Sequence, residues 1–267
     1  MIIGNKDFCN HTYIMGILNV TPDSFSDGGK YNSIDSALKQ AEKMISDGAD
    51  IIDVGGESTR PNYEKISDEE EINRIAPIIE KIKSEFDIPV SVDTYKSKVA
   101  KEALISGADL INDIWGFKYD DKMAGIVGKS GASCCLMHNR KEPSYNDFIS
   151  DVLADLQESV DIAIAAGVSA DRIMLDPGVG FAKNYEQNIE VTNRLEELHK
   201  LGFPILLGTS RKSMIGLTLN LPPEERLEGT LATTVLAVMK SCLFVRVHDV
   251  LANKRVITMT ERIIGKA

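Results

Sequence analysis

One phrase recurs along the chain: an amphipathic stretch ends at a glycine, and a short apolar run follows that stops at a polar residue. Gly48 precedes IIDVG, Gly107 precedes LINDI, Gly131 precedes CCLMH, Gly167 precedes RIMLD and Gly202 precedes PILLG. Such glycines suit the left-handed turn that closes a helix. Runs of four or five residues rich in Val, Ile and Leu suit strands buried on both faces. YIMGILN from Tyr13, IPVSVD from Ile88 and LFVRVHD from Leu243 bring the candidate strands to eight. Helical patterns fall between them over 34–46, 68–84, 96–106 and 149–166.

Eight alternating β and α segments in about 250 residues predict a closed (β/α)8 TIM barrel. An open doubly wound sheet is the other architecture that such alternation permits. No Pro/Ser-rich linker or charge block divides the chain, so residues 1–267 are expected to form one domain. Residues 1–12 precede the first strand and are expected to cap the barrel's bottom. Two βα connections, 19–33 and 55–67, exceed the usual ~2–6 residues. Long loops of this kind belong on the C-terminal face, where barrel active sites lie.

Composition narrows the function. The 267 residues carry 30 Lys+Arg against 40 Asp+Glu, a formal net charge of −10. That argues against a general nucleic-acid partner and against binding to an anionic membrane surface. No apolar stretch reaches the ~18 residues of a membrane span. The opening MIIGNKDFCN lacks the layout of a secretory signal, and four scattered cysteines make no disulfide framework. The expectation is a cytoplasmic protein with reduced cysteines, Cys134 and Cys135 among them as packing residues.

Polar residues collect at the strand ends: Asn19, Glu57 to Arg60, Asp93, Asn112 with Asp113, His138, Asp176, Ser210 to Lys212, and Arg246 with His248. Buried strands have no folding need for these groups, which cost stability unless partnered. A barrel brings them to one mouth. For Asp113 and Asp50 a helix cap explains the residue well enough. Asn19, Thr59, Arg60, Arg246 and His248 could hold an anion, since Arg donates paired hydrogen bonds to phosphate. Asp93, Asn112, Asp176 and Lys212 could read a flat heterocycle rich in donors and acceptors, or could form an ion-pair network around Lys212. No phosphate-binding G-x-x-x-x-G-K-[ST] loop occurs. Gly178-Val179-Gly180 fails as a dinucleotide fingerprint because Lys183 stands where the third glycine belongs. His11, His138, His199 and His248 lack zinc-site spacing.

MGILNVTPDSFSDGG from Met15, DIIDVGGESTRP from Asp50, SVDT around Asp93, LINDI, LDPGVGFAK from Leu175, GTSRKS from Gly208 and VRVHDV from Val245 together resemble the dihydropteroate synthase family. The match runs in order over nearly the whole chain. It implies a (β/α)8 barrel of folate biosynthesis that joins 6-hydroxymethyl-7,8-dihydropterin diphosphate to p-aminobenzoate, releasing pyrophosphate. By that resemblance Asp93, Asn112, Asp176 and Lys212 form the pterin pocket, and Met137 and Phe181 pack the pterin ring and the aminobenzoate. Asn19 is a ligand for Mg²⁺ and diphosphate. Thr59, Arg60, Arg246 and His248 occupy diphosphate positions, and Ser210 a p-aminobenzoate position. Phe25 and Asp27 in the first loop and Pro61 in the second close over the second substrate. Asp93, Lys212, Arg246 and His248 are the expected catalytic set. Glu57 lies within GGESTRP with no role assigned.

The resemblance further implies a homodimer formed through outer helices. The apolar run LATTVLAVMKSCLFV from Leu231 suits either core or interface. An SN1-like path fits the chemistry, because an electron-rich pterin can carry a developing cation while diphosphate departs. Two other readings are a pterin-binding methyltransferase barrel and a non-catalytic pterin-binding module. Neither needs both the diphosphate positions and the NVTPDSFSDGG loop.

Overall fold

The computed structural model describes residues 1–20, 30–57 and 65–266, and of 30–33 the backbone alone. Ten strands and nine α-helices occur among them: β1 (Ile2–Ile3), β2 (Lys6–Asp7), β3 (Tyr13–Asn19), α1 (Lys30–Ser46), β4 (Ile51–Gly55), α2 (Asp68–Glu85), β5 (Val90–Asp93), α3 (Ser97–Ile105), β6 (Leu110–Asp113), α4 (Met123–Ser130), β7 (Ser133–Met137), α5 (Phe148–Ala165), β8 (Ile173–Asp176), α6 (Tyr185–Asn193), β9 (Leu206–Leu207), α7 (Ser213–Leu219), α8 (Leu227–Met239), β10 (Phe244–Val247) and α9 (Val250–Ile263). No described helix is long and apolar enough to cross a membrane.

Strands β3 to β10 form one parallel sheet in the order β8-β7-β6-β5-β4-β3-β10-β9. A parallel bridge between Leu175 and Ile205 brings its ends together, and the Leu175 amide donates to Pro204 O at 2.9 Å. This is the (β/α)8 barrel, its strands alternating with helices that pack outside. The eight expected strands all form, although PILLG contributes only Leu206 and Leu207 as regular strand.

Each helix has a local cause. In α2 the Ser67 hydroxyl caps the Glu70 amide at 3.1 Å and four acidic residues fill the first turn, where the helix dipole favours negative charge. Ile75, Ile78, Ile79 and Ile82 then make one buried stripe. In α5 the Asp147 carboxylate accepts from the Ser150 amide at 2.9 Å, and Ile149, Val152, Leu156, Val160 and Ala163 face the core. Helix α6 opens on a full capping box between Asn184 and Gln187.

The core has two layers. One large cluster fills the space between the sheet and the helices. A second lies inside the barrel, where Met15, Ile51, Leu110, Cys135, Met174, Leu206 and Phe244 meet Ile3 and Phe8 of the N-terminal segment. Ile3 of the β1–β2 hairpin and Phe8 just after it thus plug the bottom, as the cap expectation requires. Cys134 and Cys135 are free and buried, facing the outer and inner clusters respectively. Apolar filling below leaves the upper part of the barrel to polar residues.

Candidate functional site

Strand register places the polar residues. Asn19 pairs with Gly55, Gly55 with Asp93, and Asp93 with Asn112, so these positions share one level across β3, β4, β5 and β6. Met137 and Asp176 are neighbours at the ends of β7 and β8. Asp93, Asn112 and Asp176 are all buried, yet they stand on the upper side of the interior cluster.

Arg246 holds this floor together. Its Nε donates to Asp53 Oδ2 and a terminal nitrogen donates to Asp93 Oδ2, both at 2.6 Å. Ser91 Oγ donates to the other oxygen of Asp53. Burial opposes the charge of Arg246, but the two carboxylates more than offset it and hold the guanidinium protonated. Asp93 is left with Oδ1 buried and without a hydrogen-bond partner. A bare buried carboxylate oxygen is costly, and this one gives the floor an acceptor for a ligand. Burial raises the Asp93 carboxyl to about 7, against the pull of Arg246, with Asp53 adding repulsion.

The opposite side is built by the loop after β8. Asp176 Oδ1 accepts from the Gly178 amide at 2.6 Å, and burial raises its pKa despite nearby Lys212. Lys212 donates to Val179 O and lies 4.7 Å from the Phe181 ring centroid. Burial pushes its amine down to about 8, against the attraction of Asp176. No ion pair of Lys212 occurs among the described residues, so the buried network centres on Arg246 instead. Met137 packs with Tyr95 and Ile114, and Trp115 and Phe181 lie against them, giving an apolar wall beside the polar floor. At Gly208 a Cβ would lie 3.4 Å from Asp176 Oδ2 and 3.9 Å from the Arg246 Cβ. A larger residue there would intrude on the floor.

Ser210 Oγ and His248 Nδ1 are 2.9 Å apart, and the His248 amide approaches the same hydroxyl at 3.2 Å. Arg211 forks onto Asp249 at 3.0 and 2.6 Å beside them. Asn19 stands exposed at the end of β3. Phe25, Asp27, Thr59, Arg60 and Pro61 lie outside the described residues.

Glu57 receives the role that the sequence left open. Its oxygens accept from Tyr95 Oη at 2.7 Å, Lys96 Nζ at 2.7 Å and the Ile66 amide at 2.9 Å. Despite the cost of burial, these bonds keep its carboxyl below the usual range. It ties the end of β4 to the start of α3. Asp113 accepts from the Trp115 and Phe117 amides at 2.8 and 2.9 Å. Neither it nor Asp50 is the helix cap expected: Asp113 closes the turn after β6, well before α4 begins at Met123, and Asp50 accepts from the Ile14 amide of β3 at 2.8 Å.

Sequence reasoning passed over Asp53 and Ser91, because a polar residue inside a strand run looks incidental without the register. Their signal is position: both alternate inward with Gly55 and Asp93. A separate cavity of about 360 Å³ opens beside Trp115, Lys118, Tyr119 and Arg140. Its main cations are already engaged, Arg140 with Asp155 and Lys118 with Glu158. Nothing there matches the bare acceptor at Asp93.

Fold and floor define a barrel that presents an acceptor, an amine and apolar rings to a flat polar ligand. The family model for pterin binding enzymes matches residues 15–248, and the chain belongs to that family. A dihydropteroate synthase of Clostridium beijerinckii is 62% identical over 269 residues, covering 100% of both chains. Among solved structures, a dihydropteroate synthase from Clostridium difficile, crystallised in the presence of pteroic acid, superposes with a TM-score of 0.94. It is 52% identical and is covered over 97% of this chain and 98% of that one. One from Yersinia pestis in complex with a sulfonamide drug gives 0.91 at 39% identity, over 100% of this chain and 99% of that one. Within the pterin-binding enzymes, these likenesses fall on the dihydropteroate synthases.

Proposed function

We propose that the chain condenses 6-hydroxymethyl-7,8-dihydropterin diphosphate with p-aminobenzoate, forming 7,8-dihydropteroate and pyrophosphate. The observation that carries the site reading is the buried, unpartnered Asp93 Oδ1, beside the half-buried Arg246 guanidinium and level with Asn112 at the strand ends. The pterin ring offers donors and acceptors along its edge. Asp93 and Asp176 accept from it, while Asn112 and Lys212 can donate. Met137 and Phe181 cover its faces.

The bond that breaks joins the pterin methylene to diphosphate oxygen, and the new bond joins the methylene to the arylamine nitrogen. Positive charge grows on the pterin as diphosphate leaves. Asp93, fixed beforehand by Arg246, stabilises that charge without reorganising. The arylamine is neutral at pH 7, so its attack needs no strong base, and its proton is lost after the bond forms. His248, hydrogen-bonded to Ser210, and Arg246 are assigned to the diphosphate, as Thr59 and Arg60 are by resemblance. This is an SN1-like path.

Asn19, exposed at the end of β3, carries a side-chain carbonyl oxygen of the kind that suits a Mg²⁺ ion that keeps waters and takes its other ligands from a diphosphate. No cluster of three or more His, Cys, Asp or Glu suited to a metal occurs among the described residues. When bound, the ion would neutralise charge on the leaving group. We also read residues 1–267 as one domain, cytoplasmic, acting as a homodimer. Exposed Leu217, Leu219, Met239, Met259 and Ile263 on α7, α8 and α9 support an apolar contact between copies. Sulfonamides, which mimic p-aminobenzoate, should compete with it.

The test supplies purified protein with Mg²⁺ and the pterin diphosphate, with and without p-aminobenzoate. Pyrophosphate release that requires p-aminobenzoate is expected. Tight pterin binding with no release would favour a binding module or a methyltransferase barrel.

A further inference from the structure

We propose that Lys183 is a positioning residue of the pterin site: its amine fixes the backbone loop that presents Phe181 and anchors Lys212. The inference rests on the pterin reading given above and extends it to a residue outside the predicted site. Lys183 Nζ donates to Gly178 O at 3.0 Å and to Phe181 O at 3.1 Å. It also lies 2.7 Å from His138 Nδ1. One amine therefore binds both ends of the Gly178–Phe181 turn and ties that turn to the end of β7.

The geometry around it is tight. Gly178 has a φ of 69°, and a Cβ there would come within 1.9 Å of His138 O and 3.3 Å of Lys183 Nζ. Only glycine lets the loop lie this close to β7. The carbonyl of Val179, inside the same turn, accepts from Lys212. Movement of the turn would displace the Lys212 acceptor and the Phe181 ring together, and would strain the bond from the Gly178 amide to Asp176.

His138 is prepared for its part. Burial lowers its pKa to about 4, so the ring is neutral. With Nδ1 accepting from Lys183, the proton sits on Nε2, which donates to Asp155 Oδ2 at 3.0 Å. Arg140 holds Asp155 from outside. The chain Arg140–Asp155–His138–Lys183 thus runs from the surface to the pterin loop. Burial also pushes the Lys183 amine down to about 7, although Asp176 opposes this. An amine so placed serves as a donor to fixed acceptors and not as a surface charge. Lys183 reaches no predicted substrate contact directly, so its influence passes through the loop.

The test compares wild type with Lys183→Met, which keeps the stem and removes the donors, and Lys183→Gln, which keeps one donor group. Pterin diphosphate affinity is measured by calorimetry without p-aminobenzoate, and turnover is measured at saturating pterin. The expected result is a Kd raised about tenfold or more in Lys183→Met, a smaller rise in Lys183→Gln, and kcat near wild type once pterin saturates. Ile79→Ala, a core change on α2, supplies a variant of lowered stability remote from the loop; its pterin Kd should stay unchanged. Wild-type affinity in folded Lys183→Met or Lys183→Gln would overturn the proposal. So would an equal rise in Ile79→Ala, or a large fall in kcat at unchanged Kd. If wild type itself bound no pterin, the functional reading would fall along with this inference.

Discussion

Asp53→Asn separates electrostatics from contact at the floor of the site. Asp53 is fully buried and shares the Arg246 guanidinium with Asp93. The three groups carry a net charge of −1 when both carboxylates are ionised, and the substitution makes it zero. Asp93 then has Arg246 to itself and loses a repelling neighbour. At a separation of roughly 6 Å and an effective dielectric of about 20, that repulsion is about 3 kcal/mol. This is about a hundredfold in proton affinity, so the Asp93 midpoint should fall from about 7 by up to about two pH units. The assay is kcat/KM for the pterin diphosphate from pH 5 to 9, which reports groups of the free enzyme. Substrate titration is common to both proteins, so the difference between the profiles isolates the enzyme. If ionised Asp93 is the active form, the acidic limb moves to lower pH in Asp53→Asn. Superimposable limbs would refute the claim that Asp53 sets the charge of Asp93.

Three further outcomes follow from the same geometry. Asp93→Asn should lower kcat by about a hundredfold or more while pterin Kd changes less than about tenfold; steady-state kinetics with unchanged turnover would contradict its role. Arg246→Ala leaves Asp53 and Asp93 buried without their cation, and should cost about 3–5 kcal/mol of stability as well as diphosphate binding and turnover; urea unfolding and kinetics check both, and intact kinetics would refute it. Burial raises the Asp113 carboxyl to about 7, despite the amide bonds from Trp115 and Phe117. Between about pH 4 and 7 the folded chain keeps a proton that the unfolded chain has released, so rising pH favours unfolding there. Wild type should therefore lose stability relative to Asp113→Asn across that window, over a constant offset from the lost acceptor, whereas parallel urea-midpoint curves from pH 4 to 8 would contradict it.

Much of the barrel was legible in the apolar runs. Strand β4 covers the whole of IIDVG, and α2 extends one residue past its expected span, because Ser67 and the isoleucine stripe are local signals. Strand β9 was less faithful: Leu206 and Leu207 alone pair regularly, and closure to β8 falls to the Leu175–Ile205 bridge. Apolar content marks a buried run, but pairing depends on partners distant in sequence. The site shows the same division. Asp93, Asn112 and Asp176 were legible because they end their strands. Asp53 was hidden within a strand, since its inward direction follows from register with Ser91. The sequence marked Lys183 as a break in a glycine motif and as the end of LDPGVGFAK, without a role, and its contact with His138 spans 45 residues. Glu57 was similarly mute, because Tyr95, Lys96 and Ile66 reach it only in the fold.

The most direct test of the floor is a crystal structure of this chain with 7,8-dihydropteroate. The account predicts pterin edge atoms within about 3.2 Å of Asp93 Oδ1, with the ring against Met137 and Phe181 and the aminobenzoate directed outward. Pterin bound instead in the cavity beside Trp115 and Tyr119, with Asp93 Oδ1 still unpartnered, would contradict it.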